Sequence, residues 1–335
     1  MGLLFITQKI DEKDDDLAFV TQWVDEFIKN DFKVTVLCLE KGEFDDRFPV
    51  YSLGKEKGYG KIKRLFNLFR YSFTLKYDAV FVHMNPEYFT YVGWYWWLRR
   101  IPMYLWYTHY TMHIHLKLAG FYCKYMFAAT KQSLPQYEGS VKKVITGHGV
   151  DVNYWSSPNR CESKYKLLMV HRLSRSKRVE IGIKALSLLP REYTLTIYGR
   201  PIDKDYYKEL LDLVKKLKLE DRVFFKGPLP MPELRKIYPQ YKIMINMAME
   251  TIDKTMLEAM CNGVYPITTP GNSVAIGLPK YPKGEAVEDV AEFIKKIECS
   301  DVDQKILTSI VNNNHSLSGL ILNITKLIRD NKKFL

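Results

Sequence analysis

Two glutamates eight residues apart, Glu250 and Glu258, stand where an apolar run, Tyr241 to Ala248, gives way to an amphipathic stretch, Thr255 to Met260. The run reads as a strand and the stretch as a helix that breaks at Asn262-Gly263. A strand end feeding a helix start is where an open α/β sheet binds phosphorylated ligands, because unpaired backbone N–H groups meet the anion there. Carboxylates at the strand end and one or two turns down the helix suit two hydroxylated groups flanking a diphosphate. Were Glu250 to Glu258 all helix, the rise would be about 12 Å, roughly the span from sugar to ribose in a sugar nucleotide. Taken alone, the pair also reads as a solvated helix face.

The elements that must position these residues alternate along the chain. Leu3 to Thr7 reads as strand, Asp16 to Asn30 as helix, Lys33 to Leu39 as strand, and Ile62 to Lys76 as helix. Ala79 to His83 and Met103 to Thr108 follow as strands. A second series starts at Leu167 to His171 and continues through a helix over Val179 to Leu189, a strand over Leu195 to Tyr198 and a helix over Tyr206 to Leu217. Val223 to Phe225, Met231 to Ile237, Lys242 to Asn246 and the helix of Glu258 extend it. Short strands separated by helices of ten to fifteen residues imply parallel sheets with crossover helices. The fold class is therefore α/β, two doubly wound Rossmann-like domains facing across a cleft. The domains are expected at 1–152 and 165–310, joined by a polar, turn-rich linker over 153–164. Helical periodicity over Lys305 to Leu327 leaves a closing helix within 311–335, open between staying with the second domain and crossing back to the first.

Composition bounds the rest. A chain of 335 residues, 47% hydrophobic and 26% charged, has room for two globular cores. Cys38, Cys123, Cys161, Cys261 and Cys299 are scattered and odd in number, which argues for a reducing compartment and against a disulfide framework or a zinc site. No run reaches the roughly 18 apolar residues of a membrane span, and the opening run meets acid by Asp11. A cytoplasmic location follows as an expectation. The net charge of +12 is uneven: residues 47–150 carry 15 Lys and Arg against 4 Asp and Glu, whereas residues 1–46 are acidic. Lys61, Lys63, Arg64 and Arg70 alternate with Leu65, Phe66, Leu68, Phe69 and Phe73, and Trp94-Tyr-Trp-Trp-Leu-Arg-Arg100 follows. Within 55–100 this reads as an element for an anionic membrane surface, for nucleic acid, or as a basic helix packed on a sheet.

The segment Glu250-Thr-Ile-Asp-Lys-Thr-Met-Leu-Glu258 resembles the Glu-x7-Glu motif of retaining glycosyltransferases of family 4, which have the GT-B fold. Val170-His-Arg172-Leu-Ser-Arg-Ser-Lys177-Arg178 is similar to the family's Gly-Arg-Leu-x3-Lys-Gly segment, with both glycines replaced. The likeness spans nearly the whole chain and is most specific over 165–270. It implies that Arg172 and Lys177 face the donor diphosphate, where fixed cations stabilise the departing charge. It implies further that Glu250 holds the transferred sugar and Glu258 the ribose, with Thr251 and Lys254 in the same donor loop. The same resemblance implies that Gly227 and Leu229 lie near the nucleobase and that His109, after Leu105-Trp-Tyr-Thr108, lies near the reaction centre. His83 and His148 are read as structural.

Two departures stand out against that family. The turn after the first strand, Gln8 to Asp16, lacks the glycines that let backbone approach a phosphate, and Asp253 occupies a loop whose amides face the phosphate in relatives. The implied activity is sugar transfer from a nucleotide sugar, UDP- or GDP-linked, to an acceptor hydroxyl, with retention and without a metal or other cofactor. The acceptor is expected to be lipid-linked or a cell-surface glycan precursor at the inner membrane face. Sugar transfer to modified nucleic acid, or a nucleotide-sugar-binding scaffold without activity, are the alternatives. His109-x3-His113-x-His115 has metal-like spacing but no matching carboxylates. Asp14-Asp-Asp16 and Asp301-Val-Asp303, which imitate a metal-binding Asp-x-Asp, are read as solvated acid at helix starts.

Overall fold

A computed structural model describes the chain apart from residues 15, 110, 158–162, 250–251, 301–302 and 333–335 and the side chains of 331 and 332. It divides into two compact units, one formed by Met1–Gly149 with Leu317–Leu335, the other by Val150–Ser316. In the first unit the strands are β1 (Gly2–Ile10), β2 (Lys33–Lys41), β3 (Val50–Ser52), β4 (Ala79–His83), β5 (Met103–Trp106), β6 (Tyr125–Ala128) and β7 (Lys143–Ile145). All are parallel, in the order β3-β2-β1-β4-β5-β6-β7. In the second unit β8 (Lys166–Val170), β9 (Thr194–Tyr198), β10 (Val223–Gly227), β11 (Ile243–Asn246) and β12 (Tyr265–Thr268) form a parallel sheet ordered β10-β9-β8-β11-β12.

Both sheets are doubly wound. The strand order reverses between β1 and β4 in one and between β8 and β11 in the other, and the crevice at such a reversal is where open α/β sheets bind ligands. Strands β4, β5, β8 and β11 are buried along nearly their whole length, which is why they read as continuous apolar runs rather than alternating ones.

Several expectations are corrected. β1 runs to Ile10 rather than Thr7, because Lys9 and Ile10 keep pairing with Glu40 and Lys41 of β2. The acid after it therefore begins directly at a strand end. The strand expected over Tyr241 to Ala248 shortens to Ile243–Asn246, while the helix expected over Thr255 to Met260 is Lys254–Met260. The 12 Å rise from an all-helical Glu250 to Glu258 is thereby withdrawn. The helical periodicity over Lys305 to Leu327 is two helices, Gln304–His315 and Leu317–Lys332, separated at Ser316 in extended conformation. They belong to different units. Leu320, Ile321, Ile324 and Ile328 of the second are fully buried in a core with Phe5, Trp23 and Phe27. The stretch read as a linker over 153–164 begins inside a short helix, Val152–Trp155, that belongs to the second unit, with Trp155 in its core. Cys161 lies outside the described residues.

Candidate active site

The loops leaving β8 and β11 flank the reversal in the second sheet and are stitched together. The Met249 N–H donates to the Ser176 carbonyl at 3.1 Å, and the Arg178 Nε to the Met247 carbonyl at 2.7 Å. Thr255 Oγ1, in the first turn of the helix Lys254–Met260, donates to the Val170 carbonyl at the end of β8 at 2.9 Å. At both places the apolar run of a strand gives way to charged sequence, Arg172 to Arg178 after one and Glu250 to Lys254 after the other.

Arg178 stands where a glycine is expected and adopts the left-handed conformation, φ 48°. A non-glycine residue there costs about 1 kcal/mol or more. Its guanidinium is anchored by Met247 and by Glu285 at 2.5 Å, which holds the backbone in place. His171, at the other replaced glycine, is buried, and its Nε2 has no hydrogen-bond partner among the described residues. Burial pushes its imidazole down to about 4, with the Lys177 charge adding to the effect and Asp253 opposing it. Gly199, after β9, sits against this turn at φ 154°, so close that a Cβ would stand 1.9 Å from the His171 carbonyl oxygen.

The cations of the β8 loop differ in their commitments. Arg175 pairs with Glu209, Arg178 with Glu285, and Lys177 with Asp253. Arg172 is exposed and, among the described residues, has no ion pair. Asp253 also accepts from Asn246 Nδ2 at 2.7 Å, and Asn246 Oδ1 in turn accepts the Ala248 N–H at 3.1 Å. Burial alone would raise the Asp253 carboxyl; the Lys177 charge, the Asn246 hydrogen bond and His171 outweigh it and hold the group below its usual range. Thus Lys177, expected to face a diphosphate, lies with its ammonium on a carboxylate from the neighbouring loop. That partner is 76 residues away in sequence, and only the departure of Asp253 from the family pattern hinted at it.

Glu258 lies in the second turn of the helix Lys254–Met260 and is only 6% exposed. The Tyr238 hydroxyl donates to its Oε2 at 3.4 Å, and the Tyr238 ring lies 5.5 Å from that of Trp155. Burial pushes the Glu258 carboxyl up and the half-buried Lys254 ammonium down, each opposed by the charge of the other. Tyr238 and Asn246 are the site residues that the sequence did not single out. Gly227 closes β10 at φ 73°, and its carbonyl accepts the Gly199 N–H at 2.9 Å. Leu229, two residues on, is half-buried against the core. Glu250 and Thr251 lie outside the described residues.

In the first unit, His109 is exposed just beyond the end of β5, its ring 5.3 Å from that of Tyr107. His113 and His115 turn to other partners: His113 Nε2 is 3.1 Å from the Tyr107 hydroxyl and His115 Nδ1 is 2.7 Å from Thr90 Oγ1. No cluster of three His, Cys, Asp or Glu among the described residues is arranged to hold a metal. His83 is buried and stacked on Trp106 at 5.2 Å, in keeping with a structural part, and His148 is buried as well. The loop after β1 is acidic but internally neutralised. Lys9 Nζ lies 2.7 Å from Asp14, 3.0 Å from Asp11 and 3.5 Å from Glu40, while Asp14 Oδ1 accepts the Asp16 and Leu17 N–H groups. Asp303 caps the helix Gln304–His315, accepting the Lys305 N–H at 2.8 Å. Asp15 and Asp301 lie outside the described residues.

The family model for glycosyl transferases group 1 matches residues 155–298. This chain carries a group 1 glycosyltransferase domain. The match falls wholly within the second unit and contains every residue of the β8 and β11 loops. Among curated proteins none matches. Solved structures resemble the chain over its length. HepE of Anabaena, in complex with UDP and glucose, is 17% identical, with 98% of this chain and 99% of that one covered at a TM-score of 0.77. Sucrose-phosphate synthase of Thermosynechococcus elongatus is 15% identical, with both chains fully covered at a TM-score of 0.78. The lipopolysaccharide outer core galactosyltransferase WaaB, in its apo form, is 15% identical, with 98% and 100% covered at 0.72. At these identities the likeness shows the fold, and that fold is GT-B. No helix among the described residues is long and apolar enough to cross a membrane.

Proposed function

We propose that the chain is a retaining, metal-independent glycosyltransferase of family 4. It moves a sugar from a UDP- or GDP-linked donor to a hydroxyl on a lipid-linked or cell-surface glycan precursor. The bond from the sugar's anomeric carbon to the diphosphate oxygen breaks, and a bond to the acceptor oxygen forms on the same face. The leaving diphosphate takes the acceptor's proton. Arg172 and Lys177 stabilise the negative charge gathering on that diphosphate. Glu250 orients the sugar and Glu258 the ribose, Thr251 and Lys254 contribute to the donor loop, Gly227 and Leu229 line the base, and His109 serves the reacting centre.

One observation carries this reading: Arg172, the sole cation of the β8 loop without an ion pair among the described residues, stands exposed at the sheet reversal of a group 1 domain. An unpaired guanidinium at such a crevice has an anion as its natural partner. UDP is the nucleotide to try first, because HepE was solved with UDP-glucose. WaaB acts on the lipopolysaccharide outer core, which favours a glycan on a lipid as acceptor.

The test is release of nucleotide from UDP-, GDP-, ADP- and dTDP-sugars, with Arg172→Ala and Glu250→Ala alongside and EDTA present in a parallel series. Release from one donor that EDTA spares and either substitution abolishes is the expected result. The ion pair between Lys177 and Asp253 favours a second reading, a nucleotide-sugar binder without turnover. In that case a donor raises the melting temperature and no product forms with any glycan acceptor.

A further inference from the structure

Three helices of the first unit present an apolar surface to solvent. Along the helix Lys61–Thr74, Ile62 is 87% exposed, Phe66 66% and Phe73 47%. At 100° per residue these three fall within about 40° of one another, opposite the side that buries Leu68 and Asn67. The helix is thus amphipathic in an unusual sense, with large apolar groups on its outer side. Lys63 and Arg70, both exposed, flank the stripe, and the helix has no carboxylate.

The stripe continues onto the helix Glu87–Leu98. Phe73 meets Tyr95 at 4.5 Å between ring centroids, and Tyr95 meets Trp94 at 6.1 Å. Tyr91, Trp94 and Leu98, at helical spacing, are 43%, 44% and 63% exposed, and Trp97 is 56% exposed beside them. This helix packs closely on the helix Ile114–Tyr122, where a Cβ on Gly93 would stand 2.7 Å from the Tyr122 ring. Ile114 and Phe121, seven residues apart, are again exposed, at 61% and 66%. Glu87 is the single carboxylate on the three helices, against Lys61, Lys63, Arg64, Arg70 and Lys117. Between the first two helices opens an apolar cleft of about 370 Å³ that shares Ile62 with the stripe.

We propose that this face docks the chain on the surface of an anionic lipid bilayer, with Ile62, Phe66, Trp94 and Trp97 entering the interfacial layer and Lys63 and Arg70 meeting lipid phosphates. Aromatic and aliphatic groups ringed by cations match a membrane interface, where apolar bodies enter the acyl boundary and cations stay with the headgroups. A nucleic acid surface offers nothing to exposed aliphatic side chains such as Ile62, Leu98 and Ile114. A second copy of the chain would bring cations against cations. The inference stands apart from the sugar-transfer reading, and its test needs no donor.

The full chain is sedimented with vesicles of phosphatidylcholine containing or lacking 30% phosphatidylglycerol, at low and high salt, while tryptophan emission is recorded. Expected are binding to the anionic vesicles only, weakening as salt rises, and a blue shift with quenching by brominated acyl chains. Phe66→Glu/Trp97→Glu, and separately Lys63→Gln/Arg70→Gln, each lower the partition coefficient by about tenfold or more. Their melting temperatures stay at the wild-type value because all four side chains are exposed. Three results overturn the proposal: no sedimentation at low salt, binding unaltered in both variants, or a wild-type dimer in light scattering that Phe66→Glu/Trp97→Glu makes monomeric. A salt-dependent mobility shift with DNA in the absence of vesicle binding overturns it in favour of nucleic acid.

Discussion

The loop after β1 and the loop after β8 hold the same place in two sheets of the same winding, yet they are opposite in charge. After β1 come Asp11 and Asp14, which pair with Lys9, and Glu12, which pairs with Arg47; after β8 come Arg172, Arg175, Lys177 and Arg178. Topology therefore supplies a crevice at each reversal, and the side chains decide whether an anion is welcome there. At the first loop both cations are taken up by carboxylates, Lys9 by Asp11, Asp14 and Glu40 and Lys13 by Glu43. In the second loop three of the four cations meet carboxylates, and the Arg172 guanidinium is left over among the described residues. A phosphate would find a partner at Arg172 and mostly repulsion beside Asp11 and Asp14.

That contrast is breakable. The largest effect is expected from Arg172→Ala, which should lower donor turnover about 100- to 1000-fold with the melting temperature unchanged, since the side chain is exposed and has no ion pair among the described residues. Arg172→Lys should recover part of the loss. Turnover of Arg172→Ala within threefold of wild type would remove the residue from the chemistry. In the other loop, Lys9→Met should leave the donor KM unaltered. It should cost only about 1 kcal/mol in urea unfolding, the scale of a partly exposed ion network.

Next in size is Gly199→Ala. Its Cβ would meet the His171 carbonyl at a backbone conformation that only glycine adopts easily, so a loss of at least about 3 kcal/mol is expected in denaturant unfolding. A neutral outcome would mean that the turn carrying Arg172 is held less tightly than its contacts indicate.

A third test reads pH. The buried His171 has a folded-state value near 4 against 6.5 unfolded, so the unfolded chain binds the proton first. The stabilisation is complete above pH 6.5 and is lost as the pH falls toward 4, by up to about 1.4 kcal/mol per pH unit. His171→Gln should flatten that slope. Asp253 has the depressed value of a paired carboxylate, so its share is present above pH 3.8 and is lost only in stronger acid. An unchanged slope between pH 4 and 6.5 in His171→Gln would assign the acid sensitivity elsewhere.

The smallest effect sharpens the comparison most. Asp253→Asn removes the carboxylate that occupies Lys177 while keeping a partner for Asn246. The donor KM should fall about three- to tenfold at low salt, the scale of one added phosphate contact, alongside a modest loss of stability. A KM that rises instead would show that Asp253 is itself part of the donor site.

Much of this was legible in the residues. Continuous apolar runs gave β4, β8 and β11, and the polar residues after them gave the two loops at the second reversal. Strands β3, β6 and β7 escaped because three or four residues carry no period, and their pairing comes from neighbours far along the chain. The helix Glu87–Leu98 is apolar on nearly every side, so its periodicity names no face. Ser316 hid inside one helical rhythm because the helices on either side of it are both amphipathic. What could not be read was commitment. Arg172, Arg175, Lys177 and Arg178 look alike as letters, and only the carboxylates brought near by the sheet distinguish the free cation from the bound ones.

The return of the helix Leu317–Lys332 to the first core has a consequence for how the protein is made. The unit that begins first is completed second: its core lacks Leu320, Ile321, Ile324 and Ile328 until the helix Leu317–Lys332 has been made. Val150–Ser316, by contrast, is an unbroken segment whose core is complete before that helix emerges. Order of synthesis and order of completion are thus reversed, and the first unit must wait for the helix Leu317–Lys332 to fill its core.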